Sequence, residues 1–432
     1  MRLQRRDLDA PAWGAVSVIE QRLDDLLDRA QRDQRTTRAK TSARVQRLKS
    51  LRDQILSLTV IWVPLDAEDD AYEIFETLNA RGKDLELSDR LKNFFLSHLR
   101  AQNANVDDYR DRWNAIRSKF SGEPSHRDIN RFILHWWLSK SDYVAERKAF
   151  RAIKLAVHRR QTPDVFVEFE EDANLYRAAV DTSSRRWTLE QQPLRDSLDG
   201  LRVMRIAQPM PFVLSLLRAW SRRQLKIAHV RKALQAIESF HFKANAIATK
   251  SSSGGISEMY ASHARQLYRA ATPRDRRECI GDLMQKLKDR SPPFEEFREG
   301  FRERLYLTNQ VSRDKDLVRY VLARMDTAHA QAQDVSPADH TKYTIEHIAP
   351  QTRITDPADP GRIGSIGNLL FVTTDLNSDM DSKPFADKKA ALRRHRSTYD
   401  IGDILRTKTW GKKQIETRTD RLAKIAYDDV WT

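Results

Sequence analysis

One cysteine stands in 432 residues. Cys279 has no partner for an intrachain disulfide, and no thiolate cage for a metal can form around it. Its setting, Arg277-Glu278-Cys279-Ile280, continues a helical pattern, so the thiol is expected to pack as a small hydrophobe. Long apolar runs are missing too. No stretch reaches the roughly 18 apolar residues of a membrane-spanning helix. The opening Met1-Arg2-Leu3-Gln4-Arg5-Arg6-Asp7 lacks the apolar core of a signal peptide, and the cytoplasm is the expected compartment. No fixed-period repeat is found.

Charge and apolar residues are plentiful. Lys and Arg total 76 against 61 Asp and Glu, a formal net charge of +15. The basic excess favours an anionic partner, and nucleic acid is the usual one. An arginine-rich surface with its charge spread out accounts for the same numbers equally well. Hydrophobic residues at 40% leave material for real cores beneath solvated faces, and the length predicts two or three domains.

From 18 to 58 the spacing is helical, with Leu23, Leu26 and Leu27 on one face and Val45, Leu48, Leu51 and Ile55 on another. Between them Arg32, Arg35, Arg38, Lys40 and Arg44 stand in a stretch nearly free of large apolar side chains, as in a solvated helix or connector. Residues 58–64 read as a strand. Helices are expected over 71–78 and 88–99, the second with Ser88 as N-cap and Asp89 just inside. From about 103 to 330 the pattern is almost wholly helical, for instance at 129–138, 212–220, 230–240 and 317–325, with its clearest break at 251–255. A polar connector at 328–340 leads to a last region. That region has a short strand before His347, an apolar run at 369–372 and one helix from about 378 to 396.

The sharpest chemistry lies in that last region. Glu346-His347-Ile348-Ala349-Pro350 is followed by Gly367-Asn368-Leu369 and then by Asn377. Hydrolysing a phosphodiester near pH 7 needs a base for water and a cation on the phosphate oxygens; histidine suits the first, and a carboxylate with an amide oxygen suits a hard divalent ion. His347 by itself would read as a structural histidine, and it is the set that changes the balance. Adjacent strand residues face opposite sides, so Glu346 and His347 serve one site only if the backbone bends, for which Pro350 provides. His340 and His395 are expected at the surface, and His241 as a packing residue. The run from Glu168 to Asp172 reads as a solvated acidic patch. Of Trp136 and Trp137, one is expected in the core and the other over a neighbour, in place of a base-stacking platform.

The spacing resembles the His-Asn-Asn version of the HNH nucleases, built on a ββα-metal hairpin and helix. More closely, Tyr343-Thr344-Ile345-Glu346-His347-Ile348-Ala349-Pro350, Ile366-Gly367-Asn368-Leu369-Leu370, Asn377-Ser378 and Lys383-Pro384-Phe385-Ala386-Asp387-Lys388 resemble the C-terminal nuclease domain of GmrSD-type restriction systems, over about 313–400. The resemblance implies His347 as general base and Glu346 and Asn377 as ligands of Mg2+ or another divalent cation. It implies Asn368 as the residue bracing the loop and Lys388 as a cation facing the scissile phosphate, with Lys383 a weaker candidate for that place.

A second run, Ile74-Phe75-Glu76-Thr77-Leu78-Asn79-Ala80-Arg81-Gly82 with Leu85, Leu87, Asp89 and Leu91-Lys92-Asn93, resembles the second motif of the ParB-like domain that opens the same family. A helix C-cap followed by a new N-cap explains Gly82 and Ser88 but not the whole combination. The resemblance implies nucleotide or phosphate contact by Asn79, Arg81 and Gly82, with Phe75 and Leu78 packing. The family's earlier Asp-Gly-Gln-Gln-Arg motif is not found in residues 1–57. The resemblance therefore does not carry a nucleotide-responsive activity, and a truncated ParB-like domain is expected.

These observations predict a mainly α protein: a truncated α/β remnant at 1–102 with a long N-terminal helix, a helical middle at 103–330 and an HNH-like α+β unit at 331–432. The implied function is metal-dependent DNA cleavage in phage defence or modification-dependent restriction. A DNA-binding or regulatory component without catalysis, and an RNase, stay open beside it, as does a homo-oligomer.

Overall fold

The computed structural model describes residues 10–32, 36–59, 86–102, 104–121, 128–249, 255–309, 311–333, 335, 338–351, 362–394 and 401–432. The chain divides into two compact units, Met1–Leu78 and Asn79–Thr432. Asn79, Arg81, Gly82, Phe75 and Leu78, the helix expected at 71–78 and most of the strand expected at 58–64 lie outside the described residues.

In the first unit, α1 (Ala10–Gln31) packs on α2 (Thr37–Leu56). The long helix expected here is two helices. Thr36 opens the second, its side chain accepting from the Ala39 N–H at 3.2 Å, a cap that favours a fresh start over continuation. Leu27 of α1 is buried, whereas α2 buries no residue and leaves Val45, Leu48 and Ile55 exposed.

The second unit begins with ten helices around one apolar core: α3 (Leu87–Arg100), α4 (Val106–Ser118), α5 (Ile129–Leu138), α6 (Glu146–Ala156), α7 (Thr162–Val180), α8 (Gln192–Val203), α9 (Met210–Ser221), α10 (Ile227–His241), α11 (Ile256–Arg269) and α12 (Pro273–Asp289). Aromatic rings knit its centre, with Trp113 stacked on Phe169 at 5.5 Å between centroids. Trp136 and Trp137 are both buried, so neither offers a face to a base. His241 is fully buried between the Asn245 side chain at 2.7 Å and the Tyr260 hydroxyl at 3.0 Å. Cys279 is buried as expected of a small hydrophobe.

Two expectations fail in this region for long-range reasons. Ser88 lies inside α3, which Glu86 precedes without a side-chain cap; the Ser88 N–H is taken at 2.9 Å by the Asn130 side chain from α5. The acidic run from Glu168 is not a solvated patch. Asp172 is buried against Arg218 at 2.7 Å, and Glu168 meets Lys140 at 3.2 Å. The cations come from α9 and from just beyond α5, positions that no local pattern connects to α7.

A second core follows, formed by α13 (Phe294–Arg304), α14 (Lys315–Ala332), a two-stranded antiparallel sheet and the helices after it. Strand β1 (Tyr343–His347) pairs with β2 (Leu369–Thr373) in a register that sets His347 opposite Leu369. Then come α15 (Thr374–Met380), α16 (Phe385–Arg394), α17 (Gly402–Arg406) and α18 (Lys412–Ile425). The one helix expected at 378–396 is therefore two. Asp381 turns the chain at φ 32°, and Lys383 before Pro384 is steered away from helical backbone. Helix α14 runs to Ala332, well into the expected connector.

Two glycines let elements approach closely. A Cβ at Gly300 would stand 2.2 Å from the Ile247 carbonyl oxygen, where α13 crosses the π-helical turn Phe242–Ile247. A Cβ at Gly367 would stand 2.2 Å from the Ile415 carbonyl oxygen and 2.3 Å from the Thr419 hydroxyl, where α18 seats on the turn before β2. Arg418 of α18 adds hydrogen bonds to the Gly367 and Leu369 carbonyls at 2.7 and 3.0 Å. Among the described residues the chain is mainly helical, with one small antiparallel sheet in its C-terminal region.

Candidate active site

His347 closes β1 and is 8% exposed. Its Nε2 lies 2.9 Å from the Leu307 carbonyl oxygen, an acceptor only, so Nε2 carries the proton and donates. Nδ1 is then the acceptor of the neutral ring. Burial lowers the His347 pKa below the usual histidine value, with the Leu307 bond acting against it.

The side chain facing Nδ1 is Gln351, with its Nε2 at 3.3 Å. Its orientation follows from its other partners: Oε1 accepts the Asn309 N–H at 2.8 Å, which leaves the amide nitrogen toward His347. That nitrogen also donates to Asn309 Oδ1 at 3.3 Å. The His347 ring is thus oriented from both sides.

Glu346 turns the other way, as alternation along a strand requires. Lys388, on α16 and only 2% exposed, places its Nζ on Glu346 Oε1 and, at 2.6 Å, on the His347 carbonyl oxygen. Burial raises the Glu346 pKa above the ordinary carboxylate value, against the pull of Lys388. The expectation that Lys388 faces a phosphate meets a different arrangement: its ammonium is turned inward onto Glu346. Lys383 is engaged with Asp379 at 3.1 Å.

Asn368 is completely buried, and its amide is saturated. Oδ1 accepts from the Ala349 N–H at 2.8 Å and from Trp410 Nε1 at 2.9 Å. Nδ2 donates to the Ala349 and Ile363 carbonyls at 3.0 and 2.7 Å. Four bonds use every donor and acceptor site of the amide, so Asn368 ties the Ala349 and Ile363 backbone to the Trp410 side chain.

Asn377 is half-buried on α15, which packs against β1, and its side chain makes no hydrogen bond among the described residues. Its carbonyl takes the N–H of Asp381 at 2.8 Å, so the two residues share one end of the helix. Asp381 is also close enough to Glu346 to raise its pKa by like charge. His340 pairs with Asp326 at 2.7 Å at the other end of β1, away from His347. His395 lies outside the described residues.

The structure therefore brings Glu346 to Lys388, sets Asn368 between the Ala349 and Ile363 backbone, and turns His347 toward Leu307 and Gln351. Sequence reasoning missed Leu307, Asn309, Gln351, Trp410 and Asp381. Gln351 stands one residue past Pro350 in the motif, and Asp381 four past Asn377, so those two were within reach of a spacing argument. Leu307, Asn309 and Trp410 act from distant segments.

Among the described residues no group of three or more His, Cys, Asp or Glu gathers as a metal cage. The available donors are a carboxylate and an amide oxygen, a lean hard-oxygen set of the kind Mg2+ uses when it keeps waters and substrate phosphate oxygens as its other ligands. A cation already sits against that carboxylate, in the form of the Lys388 ammonium. Hard oxygen donors of this kind suit a divalent ion such as Mg2+.

Residues 295–425 match the family model for the C-terminal domain of GmrSD restriction endonucleases. The match reaches past the expected 313–400 on both sides, taking in α13 and α18, which share a core with the sheet. No curated protein matches the chain. Among the described residues no helix is long and apolar enough to cross a membrane.

Proposed function

From the GmrSD restriction endonuclease C-terminal domain at 295–425, we propose that this protein is a divalent-metal-dependent endonuclease that hydrolyses phosphodiester bonds in DNA, working in phage defence or modification-dependent restriction. The observation that carries the reading is His347, neutral and fixed as the Nε2–H tautomer by the Leu307 carbonyl at 2.9 Å, with Nδ1 as its basic atom. A structural histidine needs only satisfied nitrogens. A general base needs a defined tautomer, a nitrogen that is unprotonated near pH 7 and a partner there that can be exchanged, and the single 3.3 Å contact from Gln351 is such a partner.

Water takes the place of the Gln351 amide and gives its proton to Nδ1. The resulting hydroxide attacks phosphorus, the bond to the 3′ oxygen breaks, and that oxygen leaves as a 3′-hydroxyl after taking a proton from solvent water, while His347 returns its proton to solvent. A divalent ion held by Glu346 and Asn377 would supply positive charge to the phosphate and the departing oxygen. Asn368, bonded to the Ala349 backbone, keeps the end of β1 that carries His347 in register with β2. The basic excess of the chain supports DNA affinity through counterion release. We assign the nuclease part to α13–α18, which share the second apolar core, within the one compact unit that also holds the helical core before it.

The test is closed-circular plasmid incubated with the full chain in Mg2+ or in EDTA. The reading expects nicks with 5′-phosphate and 3′-hydroxyl ends in Mg2+ and none in EDTA. Intact plasmid beside a cleaved RNA would move the substrate to RNA. Intact plasmid and intact RNA, with DNA still bound, would leave a DNA-binding component without catalysis.

A further inference from the structure

Lys388 stands where the chemistry of a metal site is offered. Its ammonium is 2% exposed and rests on two hard oxygens, Glu346 Oε1 and the His347 carbonyl at 2.6 Å. Carboxylate and carbonyl oxygens are the donors that Mg2+ and Ca2+ take. A divalent ion approaching Glu346 has two courses. It shares the carboxylate with a neighbouring positive charge, or it drives a buried ammonium off its two partners. Both lower metal affinity, and at a few Å inside a protein the repulsion is a large term, of order kcal/mol.

The position of Lys388 makes that opposition durable. It sits in the interior of α16, between Phe385 and Ala391, both of which contribute to the second core, so the ammonium is anchored by packing as well as by charge. Of the acids on the neighbouring turn, Asp381 lies close enough to act on Glu346, whereas Asp379 is engaged elsewhere, held by Lys383 and Arg394 at 3.1 and 2.9 Å.

We propose that Lys388 is a tethered competitor of the divalent cation at Glu346, so that metal loads together with a phosphodiester and only weakly before it. This rests on the nuclease reading above. A bound phosphate brings negative charge to the site and offsets the ammonium, which makes metal affinity conditional on substrate. Lys388 is thus a positioning residue: it holds Glu346 and the end of β1, and it sets the order of assembly.

The experiment is a calorimetric titration of MgCl2, and separately MnCl2, into the full chain without DNA. Lys388→Met, which keeps the length of the side chain and removes its charge, is expected to bind metal at least about tenfold more tightly than the unaltered protein, the equivalent of one pKa unit of relieved repulsion. Glu346→Gln is expected to bind none. Lys388→Gln, which keeps a donor for the His347 carbonyl, is the second variant in case removal of the ammonium unfolds the region. Thermal melts give an independent reading, with added Mg2+ raising the melting temperature more in either Lys388 variant than in the unaltered chain.

Folded Lys388→Met and Lys388→Gln proteins that bind metal no more tightly than the original would overturn the proposal, as would a Glu346→Gln protein of unchanged affinity. The two readings fail separately. Mg2+-dependent cleavage without any gain on changing Lys388 sinks this inference alone. No metal binding by any of these proteins, with plasmid and RNA intact, sinks the nuclease reading itself.

Discussion

The ring of His347 is held by the backbone of Leu307, forty residues earlier in the chain, through a 2.9 Å bond from Nε2 to the carbonyl oxygen. Because the acceptor is a carbonyl, the bond selects one tautomer and leaves Nδ1 as the basic atom. The segment carrying Leu307 is itself tied to the turn before β2, its N–H donating to the Gly364 carbonyl at 2.7 Å. The His347 ring is therefore oriented by the fold of the second core and not by its own strand alone.

Cleavage is expected to persist into mildly acidic solution. Burial lowers the His347 pKa from 6.5, so its neutral form dominates at pH 7 and is lost only as pH falls below that value. The rate should fall on the acid side with a midpoint under 6.5. A midpoint above 6.5 in a pH–rate profile would contradict the burial argument.

Acid should also weaken the helical core. Burial lowers the pKa of His135 to about 3 and of His241 to about 4, so folding excludes protons that the unfolded chain binds. The stability of the neutral form is complete above 6.5 and declines as pH drops toward those values. At pH 5 the loss is about 2 kcal/mol from each histidine. Thermal melts at pH 7 and pH 5 measure the combined fall, and replacing His241 by Gln should remove about half of it.

Asn368→Ala is expected to be severe. It strands the Ala349 N–H and the Trp410 indole N–H and leaves two carbonyls without their donor, all in a buried setting. The cost should be about 3 kcal/mol or more, since each unsatisfied buried group costs about 1–3 kcal/mol. Denaturant unfolding checks this. A change under about 1 kcal/mol would mean that the loop holds its place without Asn368.

Gly367→Ala tests the seat of α18. The new methyl would meet the Ile415 carbonyl oxygen at 2.2 Å and the Thr419 hydroxyl at 2.3 Å, and backbone cannot yield as a flexible side chain would. Displacing α18 should cost about 1–3 kcal/mol and lower activity by disturbing the Arg418 bonds to the Gly367 and Leu369 carbonyls. The melting temperature of the variant, compared with that of an exposed-site control such as Gly281→Ala, where no atom lies within 4 Å, measures the effect.

Much of the fold could be read from the chain because it rests on local periodicity. The helices at 129–138 and 317–325 and the strands around Glu346 and Leu370 announce themselves by apolar spacing. The break between α15 and α16 has a local signal in Pro384, which disfavours helical backbone at Lys383. Distant pairings were not legible. Asp172 with Arg218, Ser88 with Asn130 and Lys388 with Glu346 each join segments forty or more residues apart, and nothing in a single sequence couples them. The same holds within the site. The residue types around His347 point to hydrolysis, whereas the partner of each nitrogen depends on Leu307 and on an amide whose orientation Asn309 fixes.

The most direct measurement compares the full chain with His347→Ala on closed-circular plasmid in Mg2+, with DNA binding followed in parallel. The account predicts nicking by the unaltered chain, its loss by at least about a hundredfold in the variant as expected for a missing general base, and equal DNA affinity for both. Equal nicking by the two proteins would contradict the assignment of His347 as the base.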